Sequence, residues 1–302
     1  MRLAKNRIIL NLPYTSAAVP PPVARRLGLS PDDWQLEHWR LIDPHLGDIV
    51  REAASFERRH VKTDRPLIVY PLSPLVADPW GLWAAELADE ASKKPPRPAI
   101  LTRTTTGRPL PPWSEKDAEL ILGRSVAPFH REITEAANRL LDEAPLVLVI
   151  TLRSFGSMPL PFEKCRKYPR PQAAIGSRNG LTPPGLAELA GGILKSCRWW
   201  PELDWPQAEG ACLPEELAES PRVRALGLSL CRGLYFDERT GRRKSSYESV
   251  VRVLRTFFNL LDQEMARVAQ TRLERSLAPK KRPPSAQAPS PVIKAARIRV
   301  RT

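Results

Sequence analysis

The sequence has few of the residues from which small metal sites and disulfide frameworks are built. Its 302 residues include four Cys and four His, and no Cys-x-x-C pair occurs. Zinc knuckles and disulfide scaffolds need closely spaced cysteines or histidines. The spacing therefore argues against both, and we interpret the cysteines as core or incidental residues. They are Cys165, Cys197, Cys212 and Cys231.

Long hydrophobic runs are also missing. No window of 18 consecutive apolar residues occurs, so no transmembrane helix is predicted. The N-terminal apolar run Ile8–Leu12 is broken by Asn11 and is too short for the core of a signal peptide. We therefore predict a protein without membrane insertion, and a cytoplasmic location.

The sequence is strongly basic and rich in proline. It has a net charge of +14 and 33 Pro, and 42% of its residues are hydrophobic. Residues 277–302 carry seven of these positive charges, five Pro and no acidic residue. We predict a disordered basic tail there, after a single domain over residues 1–276. Such a tail is a solubilising terminus in the simplest interpretation, or a weak binder of polyanions and nucleic acid.

One stretch indicates a buried sheet with a site at its edge. Residues Leu146–Leu152 are apolar or β-branched without a polar break, which is typical of a strand buried on both faces of a parallel sheet. In open α/β sheets the chemistry lies just past the carboxyl ends of such strands. Arg153 and Ser154 fall there, so Arg153 is either a site residue or half of a buried ion pair.

The remaining pattern predicts an α/β domain with a mixed, mostly parallel sheet flanked by helices. Further strands are predicted at Ile8–Leu12, Leu67–Tyr70, Leu75–Ala77 and Arg222–Cys231. Helices are predicted from Asp43 to about Arg58, at Leu82–Ala91, from Ser114 to about Glu143 with a break or kink at Pro128, at Pro184–Cys197 and at Ser246–Leu277.

Six short motifs follow one another along the chain. They are Pro13-Tyr14-Thr15-Ser16, Asp43, Ser73-Pro74-Leu75-Val76-Ala77-Asp78, Pro128-Phe129-His130, Arg153-Ser154-Phe155 and Ser229-Leu230-Cys231-Arg232-Gly233-Leu234-Tyr235. With these motifs in this order, the sequence resembles the N-formylglutamate amidohydrolase family. The fold of that family is similar to that of the zinc carboxypeptidases. The resemblance covers roughly residues 8–265. It implies a metal-dependent hydrolase that releases formate from N-formylglutamate.

The sequence departs from the family pattern at the positions that the resemblance implies for metal binding and catalysis. The resemblance implies two His and an acidic residue that hold zinc, and a late Glu that acts as general base. Tyr14 and Arg153 stand in place of the two His, Ser229 in place of the Glu, and Pro74 in place of a substrate-binding Arg, whereas Asp43 remains. A catalytic zinc needs three protein ligands, and arginine has no lone pair to offer. We therefore predict that the zinc has been lost and that no other cofactor replaces it.

Three functions stay open at this stage. The first is a non-catalytic binding or scaffold module, which holds a small anion on Arg153 or contacts a protein partner. The second is a divergent amidohydrolase acting on an N-acyl amino acid, with Asp43, His45, Asp78 or His130 recruited differently. The third is a nucleic-acid-associated protein that acts through its tail.

Each candidate residue also has a plainer structural interpretation. Asp43 precedes Pro44 and can simply cap a helix, and Asp78 before Pro79 can be a turn residue. His130 can be an ordinary helix histidine, although its motif makes it a ligand-binding candidate together with Asp78 and Arg153. We expect the carboxylates of Asp43 and Asp78 to hold the Arg153 guanidinium.

A tryptophan cluster follows the predicted helix at Pro184–Cys197. Trp199, Trp200 and Trp205 lie within seven residues. Packing in the core or under a covering loop is the interpretation we favour. An exposed aromatic patch for a partner is the alternative.

Overall fold

The computed structural model describes residues 7–58, 61–80, 99–159, 166–177, 181–206 and 211–277. The strands are β1 (Ile8–Leu12), β2 (Ser55–Arg58), β3 (Val61–Asp64), β4 (Leu67–Val69), β5 (Val147–Phe155), β6 (Ala173–Gly176), β7 (Pro201–Leu203) and β8 (Val223–Cys231). The helices are α1 (Pro21–Leu27), α2 (Pro31–Leu41), α3 (Leu46–Ala54), α4 (Glu115–Glu143), α5 (Pro184–Ser196), α6 (Glu215–Ala218) and α7 (Tyr247–Leu277).

Six strands form one mixed sheet in the order β4-β1-β5-β8-β6-β7. All neighbouring pairs in it are parallel except β6 and β8, which are antiparallel. The strands β2 and β3 form a separate antiparallel pair. This is the α/β fold with a mixed, mostly parallel sheet that the sequence predicted, so the prediction of fold class is confirmed.

The sheet is covered on both faces, which is why its central strands read as continuous apolar runs. All nine residues of β5 are buried. Side chains of α4, including Phe129 and Ile133, pack on one face. Helices α3, α5 and α7 pack on the other. We call these the α4 face and the α3/α7 face.

Alternation along β5 decides which side chains lie on which face. Val147 and Val149 belong to the core on the α4 face, whereas Leu148, Ile150 and Leu152 belong to the core on the α3/α7 face. Because successive side chains of a strand point to opposite faces, Arg153 lies on the α4 face and Ser154 on the α3/α7 face. The strand continues to Phe155, so Ser154 and Arg153 are the last residues but one and but two of the strand itself. The sequence had predicted that they follow its end.

Several predicted elements differ from the structure. The helix expected from Asp43 to Arg58 begins at Leu46 and ends at Ala54, because His45 has a positive φ of 60° and because the chain then enters β2. The predicted strand at Leu75–Ala77 is a turn.

Helix α4 runs through Pro128 without a break. Its apolar residues are buried both before Pro128, as at Ala118, and after it, as at Ile133. Packing therefore holds one continuous helix although the proline removes a backbone donor.

Two predictions lie outside the described residues. They are the helix at Leu82–Ala91 and almost all of the basic tail, since α7 ends at Leu277. Within the described ranges, no helix is long and apolar enough to span a membrane.

Candidate functional site

Three neighbouring strands bring the substituted family positions to one edge of the sheet. Strands β1, β5 and β8 are adjacent and parallel, so their carboxyl ends lie side by side. Arg153 of β5 is the direct register partner of Ser229 of β8. Tyr14 follows β1 by two residues. These three positions therefore lie close together at one edge of the sheet.

Arg153 is buried on the α4 face, with a side chain fixed by an aromatic ring and a thiol. Its relative exposure is 7%. The guanidinium carbon lies 5.0 Å from the centroid of the Tyr14 ring, within the range of a cation–π contact. Its Nη2 donates to Cys212 Sγ at 2.9 Å. The guanidinium is consequently held in one orientation at the sheet edge.

Tyr14 also connects this site to Asp78. The Tyr14 hydroxyl donates to Asp78 Oδ1 at 2.9 Å, and the same oxygen accepts the backbone N–H of Trp80 at 3.1 Å. Asp78 is 1% exposed. It is therefore both the turn residue of the plainer interpretation and the acceptor for Tyr14, which stands where the family resemblance implies a histidine.

His130 lies beside the Asp78 turn. Its Nε2 is 2.7 Å from the carbonyl oxygen of Pro79, and its ring is stacked on Trp80 at 4.4 Å between centroids. Burial lowers the pKa of His130, against the opposing effect of the Pro79 hydrogen bond. The imidazole is thus neutral near pH 7 and donates its Nε2 proton to a carbonyl. It supports the turn that carries Asp78.

Cys212 is a member of this site that the sequence analysis missed. Its backbone N–H donates to Thr151 Oγ1 at 3.0 Å, and the Asn11 amide donates to the same oxygen at 3.3 Å. These bonds hold the Cys212 segment against β1 and β5. The contact with Arg153 joins residues 59 positions apart, so no local pattern could have revealed it.

Asp43 lies on the opposite side of the sheet edge, in a buried polar cluster. Its Oδ1 accepts hydrogen bonds from the Ser154 N–H at 3.0 Å and from the Ser154 hydroxyl. Arg232 Nη2 lies 3.5 Å from the same oxygen. Arg232 also donates to Ser154 Oγ and to the carbonyls of Trp39 and Ile42, at 2.8, 2.6 and 2.7 Å. We call Asp43, Ser154 and Arg232 the buried carboxylate cluster.

This cluster corrects two expectations. Asp43 was expected either to cap a helix or to pair with Arg153. Its carboxylate instead accepts from Ser154, and its ion pair is with Arg232. In the described part of the chain, no ion pair joins Arg153 to Asp43 or Asp78. Asp43 binds Ser154, which lies on the opposite face of β5 from Arg153, and Asp78 accepts from Tyr14 and Trp80.

Burial disfavours the ionised form of the Asp43 carboxyl group. Burial raises the pKa of Asp43, and the Arg232 charge, the Ser154 hydrogen bonds and the more distant Arg153 charge oppose that rise. Burial and the nearby Asp43 charge also raise the pKa of Tyr235 well above its usual value. Of the described atoms, none donates a hydrogen bond to Asp43 Oδ2.

The residues at this edge do not fit a catalytic zinc. Across the described ranges, no group of three or more His, Cys, Asp or Glu side chains is placed to hold a metal ion. His45 Nε2 lies 3.0 Å from the Gly241 carbonyl, and His130 is bound to Pro79. Among the described residues, Arg153, Tyr14, Ser229 and Cys212 supply a guanidinium, a phenol, a hydroxyl and a thiol, and the Asp78 carboxylate is bound to the phenol.

Comparisons with known proteins agree with the fold and with the motif order. The sequence profile of the N-formylglutamate amidohydrolase family matches residues 6–236. The chain belongs to this family. The match includes every position of the sheet edge and the buried carboxylate cluster, and it ends just before α7. The resemblance noted in the sequence is therefore confirmed.

Solved structures of related fold lead to the same conclusion about architecture. One is N-formylglutamate amidohydrolase from Ralstonia eutropha, with 17% identity, a TM-score of 0.66, and coverage of 87% of this chain and 95% of that one. Another is a gene product of Agrobacterium tumefaciens, with 17% identity, a TM-score of 0.56, and coverage of 90% and 93%. No curated protein has a matching sequence.

Proposed function

We propose that this member of the N-formylglutamate amidohydrolase family is not a hydrolase but a binding protein for a small carboxylate or similar anion. The observation that supports it is the orientation of Arg153. A buried guanidinium, stacked on Tyr14, occupies the sheet edge where the family resemblance implies a metal-binding histidine.

The neighbouring groups suit an anion better than a metal-bound water. A guanidinium presents several N–H donors in a plane, which match the two oxygens of a carboxylate. Stacking on Tyr14 and the Cys212 contact restrict its rotamers before any ligand arrives, which reduces the entropy lost on binding. The register partner Ser229 adds a hydroxyl beside it.

The chemistry of hydrolysis lacks its expected groups at this edge. The resemblance implies a general base where Ser229 stands, and loss of a general base lowers rates about 100- to 10,000-fold. A serine hydroxyl cannot take that role near neutral pH. With Tyr14 and Arg153 in place of the implied ligands, activation of a water by metal has no support from the donor set either.

The test combines metal content, turnover and anion binding. Elemental analysis of the purified chain should give no stoichiometric zinc, and N-formylglutamate should not be hydrolysed. Formate, acetate and N-formylglutamate should each be tried as ligands by thermal denaturation. A ligand at 100 times its Kd stabilises the fold by about 2.7 kcal/mol, or roughly 5–10 °C in Tm.

The variant Arg153→Met should abolish that stabilisation, whereas Arg108→Met should retain it, because Arg108 lies in an exposed pair with Asp33. One zinc per chain that survives mild chelation, together with turnover, would refute the proposal. So would equal stabilisation of the native chain and Arg153→Met by every anion.

A further inference from the structure

A second surface, at the far edge of the sheet, combines aromatic and basic side chains. Strand β7 is the last strand of the sheet order. Around it, Tyr168 is 64% exposed and Trp200 is 43% exposed. Arg166 and Lys167 are exposed as well, and Trp205 is partly exposed. We call Arg166, Lys167, Tyr168, Trp200 and Trp205 the aromatic edge.

Two segments come together to form the aromatic edge. The backbone N–H of Gln172 donates to the carbonyl of Trp200 at 3.0 Å, and the Trp200 N–H donates to Gln172 Oε1 at 2.8 Å. Lys167 is five residues before Gln172, and Trp205 is five residues after Trp200. The Lys167 Nζ lies 4.9 Å from the centroid of the Trp205 ring. The segment before β6 therefore reaches from one end of β7 to the other, although β6 itself pairs with β7 in parallel. Trp200 marks one end of β7, and the Lys167–Trp205 pair marks the other.

The charge of this surface is positive. Lys195 and Arg198 are exposed and lie just before Trp200, and Arg166 and Lys167 flank Tyr168. The nearby carboxylates are already engaged by local donors. Glu202 accepts the Trp200 indole N–H at 2.9 Å, and Asp204 accepts from the Ser177 N–H and hydroxyl at 2.6 and 3.0 Å. These carboxylates stay charged, but among the described residues of this surface four cations, Arg166, Lys167, Lys195 and Arg198, outnumber the two carboxylates.

We infer that the aromatic edge binds single-stranded nucleic acid, independently of the Arg153 site. Sequence-tolerant binding of single strands combines cations that follow the phosphates with aromatic rings on which bases stack. Here the exposed Trp200 directly precedes a three-residue strand about 10 Å long, and the exposed Tyr168 is next to Lys167, which contacts Trp205 beyond the other end of that strand. A single strand lying along β7 brings unpaired bases to both rings, whereas the bases of a duplex are already stacked on each other.

The test uses the full chain and a fluorescein-labelled oligo(dT) of about 15 nucleotides, within the range of site sizes for such surfaces. Anisotropy should show binding, and oligo(dT) should quench tryptophan fluorescence. The variants Tyr168→Ala and Trp200→Ala should each weaken binding by about 5- to 100-fold. Leu120→Ala is the matched control, since Leu120 is 50% exposed on α4, away from β7.

A duplex of equal phosphate number separates this surface from the basic tail. The tail predicts similar duplex binding for all variants, whereas the aromatic edge predicts that only single-strand binding falls in Tyr168→Ala and Trp200→Ala. Equal single-strand affinity in native chain and both variants would overturn the inference. So would a monomer–dimer equilibrium that Trp200→Ala abolishes without any effect on oligo(dT), because the occupant would then be a second copy of the chain. Circular dichroism tests whether each variant is folded. If Trp200→Ala is unfolded, the comparison is made with Tyr168→Ala.

Discussion

Replacing Arg232 with methionine should destabilise the fold strongly, because the arginine serves four partners at once. It lies 3.5 Å from the buried Asp43 carboxylate and donates to Ser154 Oγ and to the carbonyls of Trp39 and Ile42. These contacts connect the end of α2 with the carboxyl ends of β5 and β8. Methionine fills much of the same volume but offers none of the donors.

The size of the effect follows from what the substitution leaves behind. Removing one partner of a buried ion pair costs about 3–5 kcal/mol, because the other charge stays buried without compensation. In thermal denaturation this corresponds to a Tm lower by roughly 6–20 °C. The control is Arg108→Met. Its pair with Asp33 is shorter, at 2.7 Å, but the two side chains are 53% and 40% exposed. Exposed pairs contribute about 0–1 kcal/mol, so the control should change Tm little.

A double-mutant cycle tests whether the uncompensated charge of Asp43 causes the loss of stability. Asp43→Asn removes the charge that Arg232 compensates, so Arg232→Met should cost less in the Asp43→Asn background than in the native chain. The free energies of unfolding come from urea denaturation of all four proteins. If Arg232→Met destabilises no more than Arg108→Met, or if the two substitutions are additive, the account of the buried carboxylate cluster is wrong.

Two further predictions concern pH and the tail. Because burial raises the pKa of Asp43 in the folded chain above its usual 3.8, its contribution to stability is complete below that usual value and is lost as pH rises through the folded pKa. The measured quantity is the free energy of unfolding of the native chain minus that of Asp43→Asn, from urea denaturation at a series of pH values. This difference should fall as pH rises from about 4. A difference that rises with pH would contradict the prediction. A chain ending at Ser276 should bind a random DNA duplex more weakly than the full chain and with a shallower salt dependence, since it loses seven cations. Equal affinities in low and moderate salt would remove the tail from polyanion binding.

The sequence predicted the elements whose signal is local. The unbroken apolar run before Arg153 indicated β5, and the apolar residues of Tyr247–Leu277 at steps of three and four indicated α7. Ser114 was identified as a helix start, and its side chain accepts the Asp117 N–H at 3.1 Å. Each of these signals depends on residues within one or two turns of the chain, where periodicity and capping act.

The contacts of the site could not be predicted in the same way. Asp43 and Ser154 are 111 residues apart, and Arg153 and Cys212 are 59 apart. The motif order matched Tyr14, Arg153 and Ser229 to positions that the family resemblance implies for its site, but it could not assign their partners. That assignment depends on which face of β5 each side chain occupies. Ending the strand at Leu152 left the directions of Arg153 and Ser154 undetermined, whereas continuing it to Phe155 fixes them.

This alternation separates the two arginines into different roles. Arg232 lies in the buried carboxylate cluster, with Ser154 on the α3/α7 face, and its donors are used by the protein itself. Arg153 lies on the α4 face, against a phenol ring and a thiol, among the positions where the family resemblance implies metal ligands and a base. Asp43 therefore forms its ion pair with Arg232, and Arg153 contributes only a more distant charge. A change at position 153 on one face of β5 therefore leaves the polar cluster on the other face in place, which agrees with a chain that keeps the family fold.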